Sequence, residues 1–172
     1  MFKIAIIGPE STGKSELAQQ LAMHFKSPWV PEYAREYVEN LKTPYSYNDI
    51  CNIAKKQIEE EKYYNTKSEI SNFVFFDTDL IITKVWFEYK FQKVPEFLSD
   101  YLKVRKMDLY LLCSTDIEWK PDSVREHGND REYFYTWYKR EIELTNTPCC
   151  CIGGIGNQRF LNAIKSLDIF KI

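Results

Sequence analysis

The sequence predicts an α/β fold in which helices cover both faces of a parallel sheet. Three observations predict it. Short apolar runs alternate with helical patterns from end to end, and the first run feeds a glycine-bracketed loop that opens a helix. No internal repeat, low-complexity linker or composition shift divides the chain. At 172 residues the length suits one domain, read here as 1–172.

The elements follow from periodicity. Phe2 to Ile7 reads as a buried strand ending at Gly8. Leu17, Ala18, Leu21, Ala22 and Phe25 recur at helical spacing, which predicts a helix over Ser15 to Lys26. Pro28 to Val30 is a short strand that Pro31 ends, and Ala34 to Leu41 is helical. Ile50, Ile53, Ala54 and Ile58 form one face of a long helix from Asn48 to about Ser68, opposite the solvated block Glu59 to Lys62. Phe73 to Phe76 is the next strand, ending in Asp77-Thr78-Asp79, and a helix runs from Leu80 to Phe91. Pro95 to Lys103 is helical, and Leu109 to Cys113 is a strand. Asp116 to Arg131 is polar and loop-like, Glu132 to Thr145 is helical, and Pro148 to Ile152 is the last strand. Gly153, Gly154 and Gly156 break it before a closing helix from Phe160 to Phe170.

Composition excludes several function classes. Hydrophobic residues make up 44% of the chain and aromatics 16%, enough for a core and too much for general disorder. With 23 Lys+Arg against 25 Asp+Glu the net charge is −2, so no broad field draws a nucleic acid. The five cysteines lack zinc-ligand spacing, and the run Cys149 to Cys151 reads as small buried hydrophobes in a reducing compartment. Ile4 to Ile7 is too short for a signal-peptide core and no segment approaches membrane-spanning length, so the chain reads as cytoplasmic, without a membrane partner.

The strongest chemical signal is Gly8-Pro9-Glu10-Ser11-Thr12-Gly13-Lys14-Ser15, which satisfies G-x-x-x-x-G-K-[ST] between a predicted strand and a predicted helix. Such a turn points backbone N–H groups inward at the positive end of a helix dipole, which suits nucleotide phosphates. Lys14 would neutralise the β- and γ-phosphates of ATP, and the Ser15 hydroxyl would ligate Mg²⁺. The expected nucleotide-binding set is Gly8, Glu10, Ser11, Thr12, Gly13, Lys14, Ser15 and Glu16. Asp77, at the C-terminal end of a buried strand, is the second metal candidate. Asp79 has two readings, orienting a substrate hydroxyl or capping the next helix. The chain lacks N-K-x-D for guanine and D-x-x-G for a GTPase switch, which leaves a small phosphoryl-transfer enzyme.

A second substrate has its own candidates. Glu32 follows the second strand, where a carboxylate can accept the proton of an attacking hydroxyl. Tyr33 offers a stacking face and Arg35 a cation for phosphate, although Glu32, Arg35 and Glu36 also fit a surface ion-pair cluster. The polar segment 116–132 has the makings of a lid, with Lys120, Arg125 and Arg131 closing over the phosphoryl group and Arg131 reaching the nucleotide. Tyr133, Phe134, Trp137 and Tyr138 lie at helical spacing and read as core packing rather than a ligand platform. Lys14, Glu32, Asp77 and Arg125 form the expected catalytic set.

Taken together, the phosphate loop, Glu32-Tyr33-Ala34-Arg35-Glu36, Tyr47-Asn48-Asp49 with Gln57, Phe76-Asp77-Thr78-Asp79, and Trp119 through Arg125 resemble the ribosylnicotinamide kinase domain of the bifunctional bacterial NAD-salvage proteins. The resemblance covers nearly the whole chain, in order. It implies an adenylate-kinase-like P-loop fold with five parallel strands in the order 2-3-1-4-5. It also implies ATP- and Mg²⁺-dependent phosphorylation of the 5′-hydroxyl of nicotinamide riboside, a small-molecule nucleoside. Glu32 and Tyr33 would line the nucleoside site, Asp77 and Asp79 would serve metal and substrate, Arg125 would be the lid arginine, and the loop after Ile152 would flank adenine. Pro31 stands where the family carries an aromatic residue, leaving Trp29 or Tyr63 to stack on the nicotinamide, and Ser123 stands where the lid motif has Gly. No nucleotidyltransferase domain is expected, so the chain would carry the kinase step alone. The alternatives are a regulatory ATPase or binding module on a kinase scaffold, supported by Pro31 and Ser123, and a kinase for another nucleoside or nucleotide.

Overall fold

Five strands form one sheet in the order β2-β3-β1-β4-β5, every neighbouring pair parallel. They are β1 (Phe2–Ile7), β2 (Trp29–Val30), β3 (Phe73–Asp77), β4 (Leu109–Cys113) and β5 (Cys149–Ile152). The helices are α1 (Lys14–His24), α2 (Tyr33–Glu39), α3 (Tyr47–Asn65), α4 (Leu80–Phe91), α5 (Glu96–Val104), α6 (Arg131–Glu143) and α7 (Asn157–Leu167). The computed structural model describes residues 1–67 and 71–168. Ser68 and Phe170, expected as helix ends, lie outside the described residues.

Alternation along β1 sorts the core into two layers, because successive side chains of a strand face opposite ways. Ile4 and Ile6 pack with Leu17 and Leu21 of α1 and Ala163 and Leu167 of α7. Ala5 and Ile7 face the other way, toward Ile81 and Val85 of α4 and Phe134, Tyr138 and Ile142 of α6. A third cluster, including Ile50, Ala54, Phe87 and Leu98, holds α3, α4 and α5 together beside the sheet. Parallel pairing sends every C-terminal strand end to one edge, where ligands of open α/β sheets bind.

Three expectations change. Cys149 and Cys151 are exposed, and only Cys150 packs on the core. β5 is an edge strand, so the two residues facing away from Cys150 stay open to solvent. All five cysteines are free. α7 begins at Asn157 rather than Phe160: Gly156, at φ +55°, caps the helix, so the glycine-containing loop ends at the helix start rather than before it. The segment expected as a lid over 116–132 stops short, since α6 begins at Arg131. Among the described residues no helix is long and apolar enough to cross a membrane.

α3 starts at a capping box. The Asp49 N–H donates to the Ser46 hydroxyl, and the Ser46 N–H donates to the Asp49 carboxylate at 2.8 Å. Asp49 also accepts the Tyr37 hydroxyl at 3.0 Å, tying α2 to α3. Ser46→Ala removes one cap and is expected to cost about 1 kcal/mol, a fall in Tm of roughly 2–4 °C, measurable by thermal denaturation followed by circular dichroism.

Candidate active site

The chain leaves β1 through a loop whose conformation demands its glycines. A Cβ at Gly8 would lie 2.8 Å from the Cys113 carbonyl oxygen of β4, and Gly8 has φ +152°. Ser11 and Gly13 adopt φ +55° and +74°, reversing the chain so that α1 starts at Lys14. The Thr12 hydroxyl and the Lys14 ammonium both donate to the Pro9 carbonyl, each at 2.8 Å. The first amides of α1 lack intrahelical acceptors, so the loop closes around donors suited to an anion.

The loop forms one end of a cleft of about 400 Å³, within the range of small-molecule sites. Gly8, Glu10, Ser11, Thr12, Gly13, Lys14, Ser15 and Glu16 line it, joined by Glu32 from the β2–α2 turn, Arg35 from the first turn of α2 and Arg125 from the β4–α6 connection. The same cleft is lined by the apolar and aromatic side chains of Val38, Tyr45, Ile82, Trp86, Tyr89, Phe134 and Tyr138. Tyr45 meets Trp86 edge-to-face at 4.8 Å, and His127 packs on both Tyr89 and Phe134, at 5.2 and 4.8 Å. Sequence reasoning missed Tyr45, Trp86 and Tyr89. The signal was present in α4, whose apolar residues spread around the helix instead of forming one stripe, so that they must serve more than one apolar environment.

The connection between β4 and α6 lies across the cleft as a lid. The Glu10 carboxylate accepts the backbone N–H groups of Glu126 and His127, both at 3.0 Å. Lys90 and the Tyr45 hydroxyl bind the Glu126 carboxylate at 2.8 and 3.1 Å. Asp122 gathers Arg35 at 2.8 Å and Arg125 at 3.0 Å.

Two carboxyls at the phosphate end are perturbed. Burial raises the pKa of Glu32 above its ordinary value against the pull of Lys14, with Asp77 adding to the rise and Arg35 opposing it. Burial likewise raises Asp77, opposed by the Ser15 hydroxyl hydrogen bond and by Lys14 and Arg35. Asp77 Oδ1 is buried with no hydrogen-bond partner among the described residues.

Four expected site residues lie elsewhere. Asp79 caps α4, its Oδ1 accepting the Ile81 N–H at 2.8 Å and pairing with Arg105 at 2.6 Å, outside the cleft. Arg131 is buried and donates to the carbonyls of Thr115 and Ile117, and at 3.5 Å to that of Ser11, so it anchors the lid's stem to the phosphate loop. The Tyr33 ring packs on Tyr37 at 5.9 Å and does not line the cleft. Lys120 is exposed and meets the loop only through its N–H, which donates to the Ser11 hydroxyl at 3.1 Å. Neither expected stacking residue reaches the cleft: Trp29 packs on the α1 and α7 layer, and Tyr63 is exposed beside Lys67. Phe134 and Tyr138 belong to the core and also line the cleft, so the stripe is not core alone. The loop after β5 is held beside the phosphate loop by Arg159, whose Cδ lies 4.0 Å from the position of a Cβ on Gly13.

Comparison with known proteins agrees with this architecture. A family model described as an AAA domain matches residues 3–159. The trifunctional NAD biosynthesis/regulator protein NadR of Escherichia coli (strain K12) is 28% identical over 150 residues, which cover 83% of this chain and 36% of that protein. The Salmonella typhimurium protein of the same name is 29% identical over 138 residues, covering 76% and 33%. The chain thus spans about a third of the length of these curated relatives. A crystal structure of NadR in complex with NR superposes with a TM-score of 0.75 at 23% identity, covering 98% of this chain and 49% of that one. Thymidylate kinase from Ehrlichia chaffeensis gives 0.69 at 15% identity, covering 96% and 98%. These structures share the fold.

Glu32 yields a stability test. A carboxyl whose folded pKa is raised contributes stability that is complete below its unfolded pKa and lost as pH rises through the folded value. Glu32→Gln stays neutral at every pH. It is expected to raise Tm over wild type at about pH 8, with the gap narrowing toward about pH 5; equal melting temperatures at both would contradict the burial-driven shift.

Proposed function

The chain belongs to the AAA domain family, and from that footing we propose that it is a kinase for a nucleoside 5′-hydroxyl, using ATP and Mg²⁺, with nicotinamide riboside as acceptor and its mononucleotide as product. The observation that carries this reading is that one cleft joins the phosphate loop to a set of aromatic rings, those of Tyr45, Trp86, Tyr89, Phe134 and Tyr138. Nicotinamide riboside carries a positively charged ring, which aromatic faces attract. Four glutamates against three Lys and Arg residues around the cleft favour the same charge.

The chemistry asks mainly for positioning and charge neutralisation. Lys14 swings from the Pro9 carbonyl to the β- and γ-phosphates. Ser15 and Asp77 fit a magnesium ion, because a buried carboxylate oxygen lacking a partner stands at the end of β3 and the Ser15 hydroxyl lies close enough to act on that carboxyl's pKa. When bound there, the ion would supply positive charge to the nucleotide's phosphates. The Glu32 carboxylate takes the proton of the attacking hydroxyl. Arg35 and Arg125, gathered at the cleft by Asp122, stabilise charge on the transferring group while the lid excludes water.

Lys14→Ala is expected to abolish ADP formation stimulated by nicotinamide riboside, as read in a coupled assay. With wild type, kcat/KM should fall as pH drops through the raised pKa of Glu32, since only the carboxylate accepts a proton. Glu32→Gln should remove that acid limb and cost on the order of 10²–10⁴ in rate. Trp86→Ala is expected to raise KM for nicotinamide riboside at least several-fold while KM for ATP holds. A wild-type protein that hydrolyses ATP yet phosphorylates no riboside would sink the kinase reading in favour of a nucleotide-driven switch.

A further inference from the structure

Beneath the end of β3, outside the cleft, lies a buried chain of charges that the phosphoryl-transfer scheme does not use. Arg105 follows α5, and its side chain is 4% exposed. Its guanidinium donates to Asp79 Oδ1 at 2.6 Å, to Glu61 Oε2 at 3.0 Å and to the Tyr110 hydroxyl at 2.8 Å. Lys3 binds the other Glu61 oxygen at 3.2 Å. Desolvation offsets most of the Coulombic gain in such a chain, so stability alone explains it poorly. Its geometry is more informative.

Between Asp77 and Asp79 stands Thr78 at φ +76°, a left-handed conformation that β-branched residues rarely adopt. Such a residue persists only where its surroundings hold it from both sides. On one side, the Thr78 N–H donates to the Ile6 carbonyl at 3.0 Å, and Asp77 is in register with Ile6. On the other, Asp79 is gripped by Arg105 while it caps α4. A cavity of about 20 Å³, lined by Asp77, Thr78, Asp79, Gln57, Glu61 and Arg105, borders the turn. Room therefore exists for the turn to relax if Arg105 lets go.

We infer that Arg105 is a positioning residue for the metal–nucleotide end of the site: by holding Asp79 it keeps the Thr78 turn left-handed and Asp77 aimed at Ser15. The inference rests on the reading above that Asp77 and Ser15 hold the metal. Arg105→Lys keeps the charge but loses the planar fork that engages Asp79, Glu61 and Tyr110 together.

The test titrates Mn²⁺ into protein with ATP, following free Mn²⁺ by electron paramagnetic resonance, alongside ATP binding without metal and steady-state kinetics. Arg105→Lys is expected to weaken Mn²⁺·ATP binding about tenfold and to raise KM for MgATP. Metal-free ATP affinity and KM for nicotinamide riboside should hold. A merely structural role would lower Tm and the active fraction while leaving these constants in place, and that result would overturn the inference. Should Arg105→Lys fail to fold, Asp79→Asn serves, because its amide oxygen still caps Ile81 while the charge that Arg105 grips is gone. A smaller loss in the same direction is expected, and unchanged Mn²⁺·ATP affinity in a folded variant overturns the inference. Tight Mn²⁺·ATP binding by wild type, weakened in the variants, with no riboside phosphorylated, would overturn the kinase reading alone and leave the positioning role standing.

Discussion

The contact on which the rest of the structure depends is the passage of Gly8 beneath the Cys113 carbonyl. A side chain at residue 8 would strike that oxygen at 2.8 Å, so only glycine lets β1 run beside β4 to its end and then turn at once into the loop. Because β1 is the central strand, the turn happens between the ends of β3 and β4. α1 therefore starts with Lys14 and Ser15 beside Asp77, the last residue of β3. The parallel register is thus what joins a cation, a hydroxyl and a carboxylate separated by more than sixty residues in sequence.

Charge around this point is balanced locally, and the balance has consequences. Burial raises both Glu32 and Asp77, and Lys14 and Arg35 hold them back. A carboxyl raised in this way is a better proton acceptor toward a hydroxyl than an exposed glutamate. The same cations suit phosphates. The near-neutral sequence therefore conceals a site in which opposite charges are concentrated and kept partly desolvated.

Much of this was legible beforehand, and the reasons for the remainder are specific. The strands are short apolar runs with turn residues behind them, and α4 was bounded at Leu80 and Phe91 by local pattern alone. The phosphate loop could be read because its chemistry is contiguous. Asp79 could not be resolved, since its role depends on Arg105, 26 residues away. Arg131 looked like a phosphate ligand because nothing in sequence reveals that the carbonyls of Thr115 and Ile117 fold back onto it. The aromatic box was hidden for a related reason: Tyr45, Trp86, Tyr89 and Phe134 come from two helices and the approach to a third, and each alone passes for core.

The lid follows the same division between buried and exposed anchors. Its first stem is held by Arg131, and by Arg159, which donates to the Ser114 carbonyl and pairs with Asp116; both arginines are buried. Trp119 packs against Gly128, where a Cβ would meet the indole at 2.8 Å, so the two arms of the lid close on each other. The tip, by contrast, is held down by Lys90 and Tyr45 on Glu126, by Arg35 on Asp122 and by two amides on Glu10. The ion pairs among these are partly exposed, and such pairs are individually weak. Opening therefore costs least at the tip, between the Trp119–Gly128 contact and Glu126, while the stem stays fixed over the phosphate loop. A lid that opens there bares the aromatic rings of the cleft and withdraws Arg125 from the transferring group, while the stem keeps its hold on the phosphate loop.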